Sequence, residues 1–267
     1  MINRDKLKPV IEEYKTYFPM HWRNSIDGGV SSKWEAVKCF QEHWDIDATD
    51  FADMLSQALA KTSSLLNAAH FFAGGMLIAM ARAEGETVRQ MFRSLFDETQ
   101  ELAQCITDFE AAAEKIRAAH DDGTWNSHYQ HANAISTYLW LRYPEKYYIY
   151  KYTVCHDVAE TLEADFQPKG NSAAENVVQC YCLYDEIREK LRTDAELSKL
   201  FADAIPDAAN ASEYLSTVTI DFCYYLSQVY RKEKSAPPAN DIPADSAAPS
   251  IWKISEGTDA TGPSSGN

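Results

Sequence analysis

Apolar residues recur at three- and four-residue steps along most of the first 232 positions, the period of helices with one buried face. Leu7, Val10, Ile11, Tyr14 and Phe18 form one such stripe. Trp34, Val37, Phe40 and Trp44 form a second, with Ser32 and Glu35 at the spacing of a capping box. Asp50 is placed to cap a helix carrying Phe51, Met54, Leu55, Ala58 and Leu59, which can run on towards Leu66. Gly74-Gly75 is expected to break or pinch the apolar stretch that follows. Gly85 and Glu86 then open a helix with Val88, Met91, Phe92, Leu95 and Phe96. Leu102, Ile106, Phe109, Ala113 and Ile116 mark the next, which ends at Asp121-Asp122-Gly123.

The pattern predicts a further helix from about Ser127 to Tyr143, stopped by Pro144. Tyr147 to Val154 is dense in aromatic and β-branched residues and favours a short extended segment. One strand is not stable alone, so this segment must pair with another or pack as an irregular connection. Helices resume over about 156–166, 173–192, 195–205 and 212–232. The fold class expected is therefore mainly α, a multi-helix bundle with at most a short extended or β segment near residues 147–154.

The periodicity stops in residues 233–250, where Pro237, Pro238, Pro243 and Pro249 lie among Ala, Ser and Asp. This reads as an extended, disordered linker. Ile251-Trp252 and Ile254 begin something new, but 17 residues to Asn267 are too few for a core. The organisation expected is a helical module over 1–232, a linker over 233–250 and a stub over 251–267.

Composition narrows the class. Of the 267 residues, 45% are hydrophobic, enough to bury a core and to exclude wholesale disorder or a collagen-like chain. The longest apolar region, His70 to Ala83, is interrupted by Gly74, Gly75 and Arg82 and is too short to span a bilayer. The first residues, MINRDKLKPVIEEYK, lack the apolar stretch of a secretion signal, so a cytoplasmic location is expected. The six cysteines are then expected to be reduced thiols, mostly in the core. With 40 acidic residues against 25 Lys and Arg, the net charge of −15 repels phosphate. DNA contact would need a small local patch or a larger assembly.

Catalytic patterns are missing. There is no G-x-x-x-x-G-K-[ST], no G-x-G-x-x-G and no G-x-S-x-G. His128-x-x-His131 could set two imidazoles side by side, but no second well-spaced pair completes a zinc set. Cys155-His156 are sequence neighbours, which rarely meet as a nucleophile and its base. No catalytic residue, cofactor site or metal site is assigned. Asp97-Glu98 and Glu110/Glu114 read as a solvated helix face.

The most unusual stretch is STYLWLRYPEKYYIYK, residues 136–151. Its tyrosines interleave with Arg142, Lys146 and Lys151. Rings that stack on bases beside cations that hold phosphates grip single-stranded or flipped nucleotides, which makes Arg142, Lys146, Tyr148, Tyr150 and Lys151 the candidate contacts for nucleic acid or a partner. The same residues could instead wedge a corner of the fold into the core, with hydroxyls finding backbone partners.

ISTYLWLRYPEKYYIYK, with KWEAVKCFQEHWDIDATDFADMLSQAL, ETVRQMFRSLFDET and STVTIDFCYYLSQ, resembles the N-terminal region of McrB-like subunits of modified-cytosine-dependent (type IV) restriction systems of bacteria. The similarity spans nearly all of residues 1–232. IWKIS followed by GTD, within 251–259, is similar to the first strand of an EVE-like (PUA/YTH-related) domain. In that family a nucleotide-hydrolysing motor follows and a partner subunit cuts DNA. The resemblance implies a non-catalytic helical module, cut short at the start of the EVE-like part, that serves DNA target recognition or assembly with the motor and nuclease. A free-standing acidic interaction protein or DNA mimic is the alternative.

Overall fold

The structure, a computed structural model, describes residues 1–22, 30–68, 71–170, 173–204 and 211–235. The stub over 251–267 and all but the first three residues of the expected linker lie outside them. All described residues fall in one of the chain's two units, Met1–Ser235. They are mainly α, as the periodicity indicates.

Helix α1 (Arg4–His21) buries Leu7, Val10, Ile11, Tyr14 and Phe18, the whole expected stripe, and the Asn3 side chain caps it by accepting from the Asp5 amide. Helix α2 (Val30–His43) starts two residues before Ser32, which therefore lies inside the helix and not at its cap. Asp50 does cap α3 (Phe51–Ala58) through the Asp53 amide. The run towards Leu66 is broken: the buried Thr62 hydroxyl donates to the Leu59 carbonyl at 2.7 Å, closing a turn before the one-turn α4 (Ser63–Leu66).

A two-residue antiparallel pair, β1 (Asn67–Ala68) with β2 (Phe71–Phe72), follows. Gly74-Gly75 does not break the next element but sits in the first turn of α5 (Ala73–Ala83). A Cβ on Gly75 would lie 1.9 Å from the Phe72 ring, so the missing side chain lets that ring fold over the helix start. Helices α6 (Gly85–Leu95) and α7 (Leu102–His120) fall where their stripes put them.

Helix α8 (Ala132–Arg142) begins five residues later than expected. The preceding loop is held by its own side chains. The Gln130 side chain is fully buried, donating to the Ala73 and His128 carbonyls and accepting from the Tyr138 hydroxyl. Residues Ala134 to Leu141 are all buried, so α8 is enclosed on every side, against α2, α7 and α10.

The extended stretch runs from Tyr147 to Lys151 without pairing as a strand, and Tyr152 to Val154 already belong to α9 (Tyr152–Thr161). That helix ends before Phe166 because Glu163 takes φ 47°, a left-handed conformation no α-helix continues through. Helices α10 (Ala173–Thr193) and α11 (Ala195–Ala204) match expectation within a residue or two, whereas α12 (Ala211–Tyr225) starts as expected but ends seven residues before 232. A π-helical turn, Leu226–Tyr230, then leads into α13 (Arg231–Ser235), which takes up the first three residues of the expected linker.

Both ends of this unit are fastened. The Asn3 amide donates to the Leu162 carbonyl at 2.8 Å, and Tyr14 donates to Asp221 at 2.9 Å. The Lys15 ammonium lies 3.0 to 3.1 Å from Glu12, Asp194 and Glu196, locking α1 to the α10–α11 junction. One hydrophobic cluster takes residues from helices α1 to α12. Among the described residues no helix is long and apolar enough to cross a membrane.

Candidate interaction surface

The aromatic corner is positioned by α8. After the exposed turn at Glu145 and Lys146 the chain returns to the buried α8, so Tyr147 to Tyr150 are buried and their backbone must find partners inside the protein. It does so on α8 itself: the Tyr150 amide donates to the Ser136 hydroxyl at 2.9 Å, and the Asn133 side chain donates to the Tyr150 carbonyl at 2.7 Å.

Two of the expected contact residues are therefore corrected. Tyr148 is 0% and Tyr150 4% exposed, so neither ring offers a face to a base. Tyr148 packs edge-on against Tyr184, with centroids 5.5 Å apart, and donates its hydroxyl to Asp185 at 2.6 Å. Burial pushes the phenols of Tyr148 and Tyr150 upward, which keeps both neutral.

The cations are engaged as well. The Lys146 ammonium is paired with Glu98 and stands 5.1 Å over the Tyr147 ring. The half-buried Arg142 guanidinium lies 4.8 Å over Tyr143, and the exposed Lys151 ammonium 5.7 Å from the Tyr224 ring. The cleft beside Ile149, Lys151 and Tyr224 holds about 30 Å³, room for a water and not for a base.

His128 and His131 do converge, and with a third group that sequence spacing did not disclose. Their rings are 4.5 Å apart, and Glu110 on α7 brings its carboxylate into the same cluster, with the three ligand-type atoms within 4.8 Å of one another. Tyr129 between them takes φ 56°, a left-handed turn that swings both rings to one side. Glu110 accepts from His131 Nδ1 at 2.6 Å, and that bond raises the His131 pKa; desolvation lowers that of His128.

A ligand set of two His and one carboxylate suits a transition metal. The hydrogen bonds argue otherwise: His128 Nδ1 accepts from the Gln130 amide at 2.9 Å, so the neutral ring keeps its proton on Nε2 and presents a donor there. The arrangement is a carboxylate hydrogen-bonded to one imidazole, with a second imidazole packed against the first. The other cluster, His156, Asp157 and Glu160, already holds a cation, because Arg231 bonds Glu160 at 2.5 Å and stands 3.6 Å from Asp157.

Cys39 and His43 are one helical turn apart, a pair the sequence reading passed over. Their Sγ and Nδ1 are 4.0 Å apart, but the His43 nitrogen bonds the Cys39 carbonyl at 2.9 Å and the thiol donates to the Gln57 carbonyl. The imidazole nitrogen nearest the sulfur is thus occupied and is not poised to take its proton. Cys105, Cys155, Cys180 and Cys223 are buried, Cys39 is half-buried, Cys182 is exposed, and all six are free thiols.

Glu98 and Glu110 depart from the simple solvated face by pairing with Lys146 and His131. Glu114 pairs with Arg117, and Asp97 accepts from Thr99 and Gln100. No family model, curated protein or solved structure matches this chain.

Proposed function

We propose that residues 1–235 are the N-terminal helical module of a McrB-like type IV restriction protein, and that they serve it by assembly with the motor and nuclease more than by gripping DNA. The observation that carries the choice is the inward turn of the aromatic corner: Tyr148 and Tyr150 are core residues, and Lys146 is tied to Glu98. The remaining surface belongs to a chain of net charge −15, which opposes phosphate binding and suits basic protein partners. In this reading the module carries no reaction of its own. The Walker-type motor and the nuclease reside on other segments or subunits.

The test is co-expression of the chain with the products of its neighbouring genes, followed by affinity capture. The reading expects a motor and a nuclease in the neighbourhood and a stoichiometric complex that survives 150 mM salt. An unrelated neighbourhood, or capture of one unrelated protein, would favour the free-standing acidic interaction protein.

A further inference from the structure

The face where the two ends of the helical unit meet carries a groove with its own chemistry. On α1, Glu13, Tyr17, Met20 and His21 follow one another along one side at helical spacing. Tyr225 and Glu233, from the end of α12 and from α13, face them across a cavity of about 420 Å³. The π-helical turn Leu226–Tyr230 lies between those two residues; such turns re-aim side chains that an α-helix would place elsewhere.

The floor is aromatic. Tyr17 and Tyr225 have centroids 4.5 Å apart and His21 stacks on Tyr17 at 4.0 Å; Tyr230, 6.4 Å from Tyr225, stands beside the groove and not in its lining. The rim is acidic, from Glu13 and Glu233. Ring faces beside carboxylates attract an organic cation through the ring quadrupole and the charge together. The protein already performs this recognition on itself: the Lys234 ammonium lies 2.7 Å from Glu13 and 5.3 Å from the centre of the Tyr230 ring. Met20, 60% exposed at the same edge, adds an adaptable apolar contact.

We infer that this groove is a docking site for a Lys or Arg side chain on a basic segment of a partner protein, which takes the place of Lys234 on Glu13. Charge complementarity selects that occupant: a nucleic acid brings the wrong sign, and a second copy brings its own −15. The inference rests on the assembly reading and names the point of contact. Lys234 then acts as an internal competitor for the Glu13 carboxylate, released when a better-placed cation arrives.

Fluorescence anisotropy of the full chain with labelled hexalysine tests it. Glu13→Gln and Glu233→Gln should each weaken binding about fivefold. Lys234→Ala should tighten it about threefold by removing the competitor. Lys232→Ala, two residues away and bonded to Gln228, and Asp122→Asn on a distant loop serve as charge-matched controls, each expected within about twofold. If Lys232→Ala tightens binding as much as Lys234→Ala, or Asp122→Asn weakens it as much as Glu13→Gln, the peptide reads only bulk charge and the inference is wrong. The peptide titration decides the groove, and co-purification with motor and nuclease decides the assembly reading, so either can fail alone.

Discussion

Replacing Tyr148 separates a structural corner from a nucleotide grip. The ring is fully buried between Tyr181 and Tyr184, with its hydroxyl on Asp185 and the Arg188 guanidinium 5.8 Å from its centre. Truncating a buried aromatic to Ala costs about 3–5 kcal/mol through lost burial and the cavity left behind. Losing a hydrogen bond to a carboxylate adds about 1–2 kcal/mol, towards the low end here because Asp185 is half exposed and rehydrates. For a unit of this size each kcal/mol lowers the melting temperature by about 3 °C. Tyr148→Ala should therefore melt about 12 °C lower or more, and Tyr148→Phe, which keeps the ring, about 3–5 °C lower. Circular dichroism melts of the two variants beside the unaltered chain give both numbers. A Tyr148→Ala chain that melts within about 2 °C of the original, a shift worth under 1 kcal/mol, would refute the buried assignment.

The thiols give a simple count: under native conditions Ellman's reagent should titrate Cys182 quickly and Cys39 more slowly, with the four buried thiols reacting only after denaturation. Rapid native reaction of Cys180 or Cys223, whose burial pushes their pKa values up, would contradict the core packing. His131 has its pKa raised by Glu110, so its protonation favours the folded chain. Its contribution is full below the ordinary histidine pKa of about 6.5 and is lost as pH rises through the raised folded value. His131→Gln should thus lower the melting temperature more at pH 5 than at pH 8, and the opposite order would overturn the Glu110 pairing. After incubation with zinc and dialysis, the chain should hold fewer than about 0.2 equivalents, since a working site is close to stoichiometric. Full retention that His128→Ala abolishes would mean the His128 tautomer yields to a metal.

Much of the fold is legible in the chain because most helices have one buried and one wet face. The stripes of α1, α6 and α7 are read correctly from apolar spacing alone, since burial alone dictates those positions. Reading fails where side chains take over from periodicity. Residues 127–131 before α8 contain no Gly or Pro, yet Gln130 and His128 hold them out of the helix by satisfying their backbone. Gly74-Gly75 carries the statistical mark of a break, but at Gly75 the missing Cβ makes room for the ring of Phe72 three residues earlier, a use of glycine that leaves the helix intact. The strand pair, residues 67–68 with 71–72, is too short to leave a period, and the extended segment closes at Lys151, where α9 takes over four residues before the expected start.

The candidate sites were less legible still. Tyr148 and Tyr150 look the same in sequence whether they stack on a base or on Tyr181 and Tyr184, and only the enclosure of α8 decides. Glu110 lies 21 positions from His131, and Glu13 lies 221 from Lys234, so neither pairing has a local signal. Spacing motifs find sites built on one helix or loop. Both of these are built between elements.

Nucleic-acid binding by the full chain bears most directly on the claim that this module works through protein contacts. Titrating labelled single-stranded and duplex oligonucleotides, with and without 5-methylcytosine, at 150 mM salt should give no saturable binding below about 100 µM, as expected for a strongly acidic surface whose aromatic corner is closed. Saturable binding below about 1 µM that Lys146→Ala and Lys151→Ala abolish, with the melting temperature unchanged, would contradict the account and return the corner to DNA.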